Sequence, residues 1–198
     1  MSVEKFEDFR LTVKERALEL ISKKMLEKIE SLNKLLSENS LFNTKKRTIE
    51  NSYHETIQNI LVLVKSEVVE LIETCNAIKL FIHLNIPKIE DGNNFGVSVQ
   101  EDIVQELGRG EESGFSILES ASKYFTSRAR LVSKQKKEKN RDNVDYQLAI
   151  DNLDFKQFQQ IKLCVMDLRN NYSVLFDTIS KNLDKLLNPR SQNTSSMY

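Results

Sequence analysis

All five glycines of this chain fall between Gly92 and Gly114, and its two prolines are Pro87 and Pro189. Glycine and proline penalise a helix interior most, by about 1 and about 3 kcal/mol relative to alanine. Their confinement leaves long stretches that nothing interrupts. An all-α fold follows wherever those stretches carry the helical apolar period.

They carry it in four runs. The first covers residues 1–37, where Leu18, Ile21, Met25, Ile29, Leu32 and Leu36 step by three or four and Phe6, Phe9 and Val13 add a second stripe. Residues 38–52 lose the period and read as a connection. The second run, 53–86, places Ile57, Leu61, Val64, Val68, Leu71, Cys75, Ile78 and Ile82 on one face. Val62, Leu63, Val69, Leu80, Phe81 and Leu84 lie off that face. A helix apolar on more than one side has to be covered on more than one side, so burial against a second subunit is expected. The third run, 97–135, carries Ile103, Leu107, Leu118, Ala121, Phe125, Ala129 and Val132. Gly108, Gly110 and Gly114 interrupt it, and either a bend or the close packing of another backbone would account for them. The fourth, 145–187, runs from Tyr146 through Ile150, Phe158, Ile161, Val165, Leu168, Tyr172, Leu175 and Ile179 to Leu186, and Pro189 stops it.

At 1.5 Å per residue such runs extend roughly 50–60 Å. Short connections make successive helices antiparallel, an up-down four-helix bundle. The second run then ends at Pro87 on the same side as the end of the fourth at Pro189. The Gly-Asn-rich break after Pro87 and the C-terminal segment are therefore expected together, with the 38–52 and 135–145 connections opposite.

Composition narrows the function. Lys+Arg and Asp+Glu are 29 each, for zero formal net charge, unlike a dedicated nucleic-acid binder. Cys75 and Cys164 sit within apolar patterns as small buried hydrophobes, with no CxxC pair. No segment has the apolar length of a membrane span or resembles a signal peptide, so cytoplasm or nucleus is expected. The two histidines, His54 and His83, form no metal-binding spacing, and no nucleophile elbow, P-loop or Rossmann fingerprint occurs. His83 reads as a packed or partly exposed helix residue. No enzyme and no cofactor are expected. The basic stretch from Lys134 through Lys136, Lys137 and Lys139 to Arg141 reads as a solvated loop, with capture of an acidic peptide as the sharper alternative. Lys45-Lys46-Arg47 is a weak nuclear-import pattern.

The break itself is the specific signal. Ile86-Pro87-Lys88-Ile89-Glu90-Asp91-Gly92-Asn93-Asn94-Phe95-Gly96-Val97-Ser98-Val99-Gln100-Glu101 closely resembles the activation loop of the REG (PA28) family of ATP-independent proteasome activators. The likeness continues through Ser122-Lys123-Tyr124-Phe125, Arg128-Ala129-Arg130-Leu131-Val132-Ser133-Lys134 and Asp145-Tyr146. It resumes in Leu168-Arg169-Asn170-Asn171-Tyr172 and Lys181-Asn182-Leu183-Asp184-Lys185-Leu186, then ends on Pro189-Arg190 and a terminal tyrosine. It covers roughly residues 55–198; the first helix matches in pattern only.

The resemblance implies one activator domain over 1–198 that assembles, as a homo- or hetero-oligomer, into a ring of seven subunits. Such a ring caps the core proteasome without ATP and opens its gate to short peptides. The activation loop, 87–96, would displace the gate through Lys88, Ile89, Glu90, Asp91, Gly92, Asn93, Asn94, Phe95 and Gly96. The tail, 188–198, would dock with Ser191, Gln192, Asn193, Thr194, Ser195, Ser196, Met197 and Tyr198 between α-ring subunits, its carboxylate meeting a lysine. The chain departs from the family in its short 38–52 connection, in the absence of the usual Pro-His before Asp145, and in Gly108, Gly110 and Gly114. Its Met-Tyr ending differs from the hydrophobic-tyrosine-any-residue ending of ATP-dependent activators. The competing reading is an oligomeric helical adaptor without protease contact.

Overall fold

The computed structural model describes residues 2–38, 42, 53–137 and 143–190. No strand occurs among them. Their helices are α1 Val3–Glu19, a π-helical turn Leu20–Lys24, α2 Met25–Glu38, α3 Tyr53–Asn85, α4 Phe95–Gln135, α5 Val144–Lys181 and α6 Leu183–Leu187. The chain packs as two compact units. The first takes Met1–Ile29, Leu71–Glu112 and Asn170–Tyr198; the second takes Glu30–Glu70 and Ser113–Arg169. The 38–52 connection, the distal part of the basic stretch from residue 138 and the tail 191–198 lie outside the described residues, Phe42 excepted.

The first helical run is one run interrupted by a π turn that the periodicity does not announce. Ala17, Ile21 and Met25 are all buried at steps of four. On a helix of 3.6 residues per turn each such step drifts by about 40°. The wider π turn absorbs the drift and keeps all three side chains on one face. Ser2 caps the start, its hydroxyl accepting from the Lys5 N–H at 3.4 Å.

In the first unit, consecutive helices run antiparallel. Lys79 on α3 pairs with Glu111 on α4 at 2.7 Å, and near the ends of the same helices Gln100 Nε2 reaches Asn85 O at 3.4 Å. Arg10 Nη2 donates to Leu84 O at 2.7 Å, satisfying a carbonyl left open by the end of α3. Leu71, Cys75, Ile78, Ile82, Leu107 and Ile179 are fully buried here. Cys75 is a core residue, and burial first, then Glu111, pushes its thiol up to about 12.

In the second unit α4 and α5 also run antiparallel. Ser120 accepts from Gln160 at 2.8 Å, Arg128 pairs with Asp154 at 2.9 Å and Gln135 meets Gln147 at 3.0 Å, partners whose numbers fall along one helix as they rise along the other. Asn143 caps α5, its Oδ1 accepting from the Asp145 N–H at 2.9 Å. Ile57, Val64, Val68, Phe158, Ile161 and Val165 form the core, and Phe42 lies 6.1 Å from the Phe158 ring.

Several sequence expectations are corrected. The fourth run is not continuous. Asn182 sits at φ −115°, ψ 12° between α5 and α6, and its side-chain amide donates to Thr178 O at 2.8 Å. A side chain that engages the preceding turn competes with the helical backbone. Phe81 is buried, whereas Val62, Leu63, Val69 and Leu80 are exposed as expected. Ala129 is exposed, and Tyr124, not singled out as apolar, is buried instead. The third run starts at Phe95, two residues early, and passes all three glycines without a break.

Candidate functional site

The break between α3 and α4 is a shaped loop. Gly92 has φ +82° and Asn93 φ +45°, two successive left-handed residues. Asparagine tolerates that region better than most side-chain-bearing residues. Asn94 follows at the head of α4: its carbonyl accepts the helix's first bond, from the Ser98 N–H at 2.9 Å. Its side-chain amide folds back to Glu90 O at 3.3 Å, closing the turn on itself.

This loop is fastened to the end of the last helix by three sets of contacts. Deepest is a polar brace. Asn85 Nδ2 donates to Leu186 O at 2.5 Å and Leu187 O at 3.1 Å, and buried Gln100 donates to Leu186 O at 3.2 Å. The brace satisfies carbonyls at the end of α6 with side chains from the end of α3 and the start of α4. Next is a main-chain contact: a Cβ at Gly96 would fall 2.0 Å from Pro189 O, so only glycine fits. Outermost, Arg190 donates from Nη1 to Glu90 Oε2 at 2.9 Å and from Nη2 to Asn94 Oδ1 at 3.1 Å.

Of the residues expected to act in the loop, Glu90, Asn94 and Gly96 are therefore joined directly to the helix exit, and Gly92 and Asn93 supply the turn. Lys88, Ile89, Asp91 and Phe95 project to solvent. Ile89 is fully exposed and Phe95 is 72% exposed. Asn85, Gln100, Pro189 and Arg190 also belong to this site and were not singled out as site residues from sequence. Gln100 fell within the quoted loop motif and Pro189-Arg190 within the family likeness after the helix stop; Asn85 carried no signal. Residues 191–198, expected from the resemblance to dock, lie outside the described residues; the described chain ends at Arg190, beside the loop.

A second polar cluster lies in the other unit. Tyr124 donates its hydroxyl to Asp154 Oδ1 at 2.9 Å, and Arg128 Nε shares both Asp154 oxygens at 2.9 and 3.1 Å. His54 Nδ1 lies 3.0 Å from the Tyr124 oxygen. With the tyrosine proton directed at Asp154, His54 is the donor. Burial, then the Arg128 charge, lowers the His54 pKa against the opposing pull of Asp154. Burial, then the bond to Asp154, raises that of Tyr124. Every partner here is engaged with another, which makes the cluster a brace between helices. Beside it opens a cavity of about 630 Å³ lined by His54, Phe125, Arg128, Val132 and Lys136 among others. Among the described residues, no group of three or more His, Cys, Asp or Glu side chains is arranged to hold a metal ion. None of the described helices is long and apolar enough to cross a membrane.

Comparison with known proteins places this geometry. The family described as "Proteasome activator PA28, C-terminal" matches residues 50–196. Human proteasome activator complex subunit 3 is 41% identical over 145 residues, covering 73% of this chain but 56% of that relative. The chain thus matches little more than half the length of that protein. The crystal structure of the 11S subunit PA28 of Plasmodium falciparum superposes with a TM-score of 0.83 at 35% identity, covering 95% of this chain and 94% of that one. The activator PA26 of Trypanosoma brucei, solved in complex with the yeast 20S proteasome, shares the fold with a TM-score of 0.73 at 15% identity and 98% coverage of both chains. By the family match and by its identity to these relatives, the chain belongs to the PA28 proteasome activator family.

Proposed function

We propose that this protein is an ATP-independent activator of the core proteasome. Seven copies form a ring, the tails 191–198 dock between α-ring subunits, and the loops at 87–96 displace the gate so that short peptides enter. The chain itself catalyses nothing. Its place of action is the cytoplasm, the nucleus or both.

One observation supports this reading above all others. The exit of the last helix and the loop after Pro87 are held side by side, with Arg190 bonded to Glu90 and Asn94. A tail that leaves from Arg190 and a loop that presents Lys88 to Phe95 can then address one partner surface together. Division of labour follows from physical chemistry. Ordering a polar tail costs about 1–2 kcal/mol of backbone entropy per residue, so a single tail binds weakly. Several tails on one assembly bind by avidity. The loop is already shaped and loses little freedom on contact.

The test is incubation with purified core proteasome while following hydrolysis of fluorogenic peptides. Stimulation without ATP is expected, and deletion of Met197 and Tyr198 should abolish both co-sedimentation and stimulation. A chain that assembles but neither binds nor stimulates the core proteasome is an adaptor, and the activator reading fails.

A further inference from the structure

The Arg190 guanidinium faces the loop, and its side chain is only 19% exposed. Its two acceptors, Glu90 and Asn94, stand on either side of the left-handed pair Gly92 and Asn93. A planar fork that grips both sides of such a turn fixes the distance across it. Across that span, the Asn94 amide to Glu90 O at 3.3 Å is a long bond, and every residue from 88 to 95 is exposed. Arg190 Nε, meanwhile, is buried with no acceptor among the described residues. A buried donor left unmet opposes folding.

We propose that Arg190 is the positioning residue of the loop. It holds Glu90 and Asn94 at the spacing that opens the gate, and acts through them without touching the core proteasome itself. Because residues 191–198 follow directly, the same side chain ties the shape of the loop to the root of the tail. This rests on the activator reading above. Its consequence is that docking and opening separate at one side chain that belongs neither to the loop 87–96 nor to the residues 191–198 that would dock.

Five chains test it: wild type, Arg190→Ala, Arg190→Lys, Asn94→Leu and the double variant Arg190→Ala/Asn94→Leu. Co-sedimentation of Arg190→Ala with the core proteasome should stay within about threefold of wild type while stimulated peptide hydrolysis falls at least about tenfold. Arg190→Lys keeps the charge but offers a point donor that cannot fork, and should fall between the two. The double variant should be no worse than the weaker single one, because both changes remove the same grip. A second readout needs no proteasome. Trypsin cleavage after Lys88, followed by mass spectrometry on the free assembly, should accelerate at least about fivefold in Arg190→Ala as the loop loosens. Should wild type fail to stimulate, the activator reading falls and cleavage at Lys88 alone judges the latch. Full stimulation by Arg190→Ala, or unchanged cleavage at Lys88, overturns the proposal.

Discussion

Gly96 shows how much one residue can constrain. It lies in a helix, where glycine is disfavoured, yet a methyl group there would fall 2.0 Å from Pro189 O, inside any permissible contact. The obstacle is backbone, which cannot rotate away. Gly96→Ala should therefore destabilise the protein by about 1–3 kcal/mol, the usual cost of overpacking, read as a lower denaturant midpoint. It should also part the loop from the helix exit and reduce stimulation of the core proteasome. A variant with the wild-type midpoint would show that the contact gives way. Sequence alone marks Gly92 and Gly96 as turn residues of one loop. Only the structure separates the left-handed φ of Gly92 from the helical geometry and crowding of Gly96, because crowding depends on Pro189, far away in the chain.

At the level of the helix, the glycines of α4 divide in the same way. By propensity Gly108 and Gly110 are equally unfavourable. In the structure a Cβ at Gly110 would stand 3.2 Å from Cys75 Sγ and 3.3 Å from Leu175 Cδ1, whereas one at Gly108 would meet nothing within 4 Å. Neither a bend nor a close backbone is the reason for Gly110; two side chains from α3 and α5 are. Gly108→Ala should stabilise the protein by about 0.5–1 kcal/mol, through helix propensity and a less flexible unfolded chain, and Gly110→Ala should not. Urea midpoints of the two variants decide the matter, and a stabilising Gly110→Ala would contradict the packing. Helix extents were legible because apolar period and breaker position act locally. The π turn at Leu20–Lys24 and the break at Asn182 were not. Their cause is a small drift of the apolar face in one case and a bond from Asn182 to Thr178 in the other, and neither alters composition or period.

For the molecule as a whole, the apolar residues left uncovered carry the information. Val62 is 74% exposed, and Leu63, Val69 and Leu80 join it on α3. Such residues scattered singly would mean little, but these share one helix and were expected to need a second subunit. Native mass near seven times the 23.0 kDa chain mass is expected. Val62→Asp should lower the assembled fraction sharply without loss of helix content, measured by light scattering and circular dichroism. A monomeric wild-type chain would remove the basis for avidity. That the loop and the end of the last helix belong together was also legible in advance. Helix direction alternates along the chain, and two prolines mark two helix ends of like direction. What holds them together was not legible, since Asn85, Gln100 and Arg190 are ordinary polar residues until the backbone carbonyls they serve are placed.

The seam between Gly96 and Pro189 has no adjustable part. Most contacts in a protein can be retuned by trading one side chain for another, a little larger or smaller. Here glycine has nothing to trim, and on the proline side the carbonyl itself is the obstacle. Mutational drift around the seam can recolour the surface and leave the clearance between the two segments untouched. A chain built this way is free to vary what it displays at that pole while the scaffold behind the display keeps one fixed gauge.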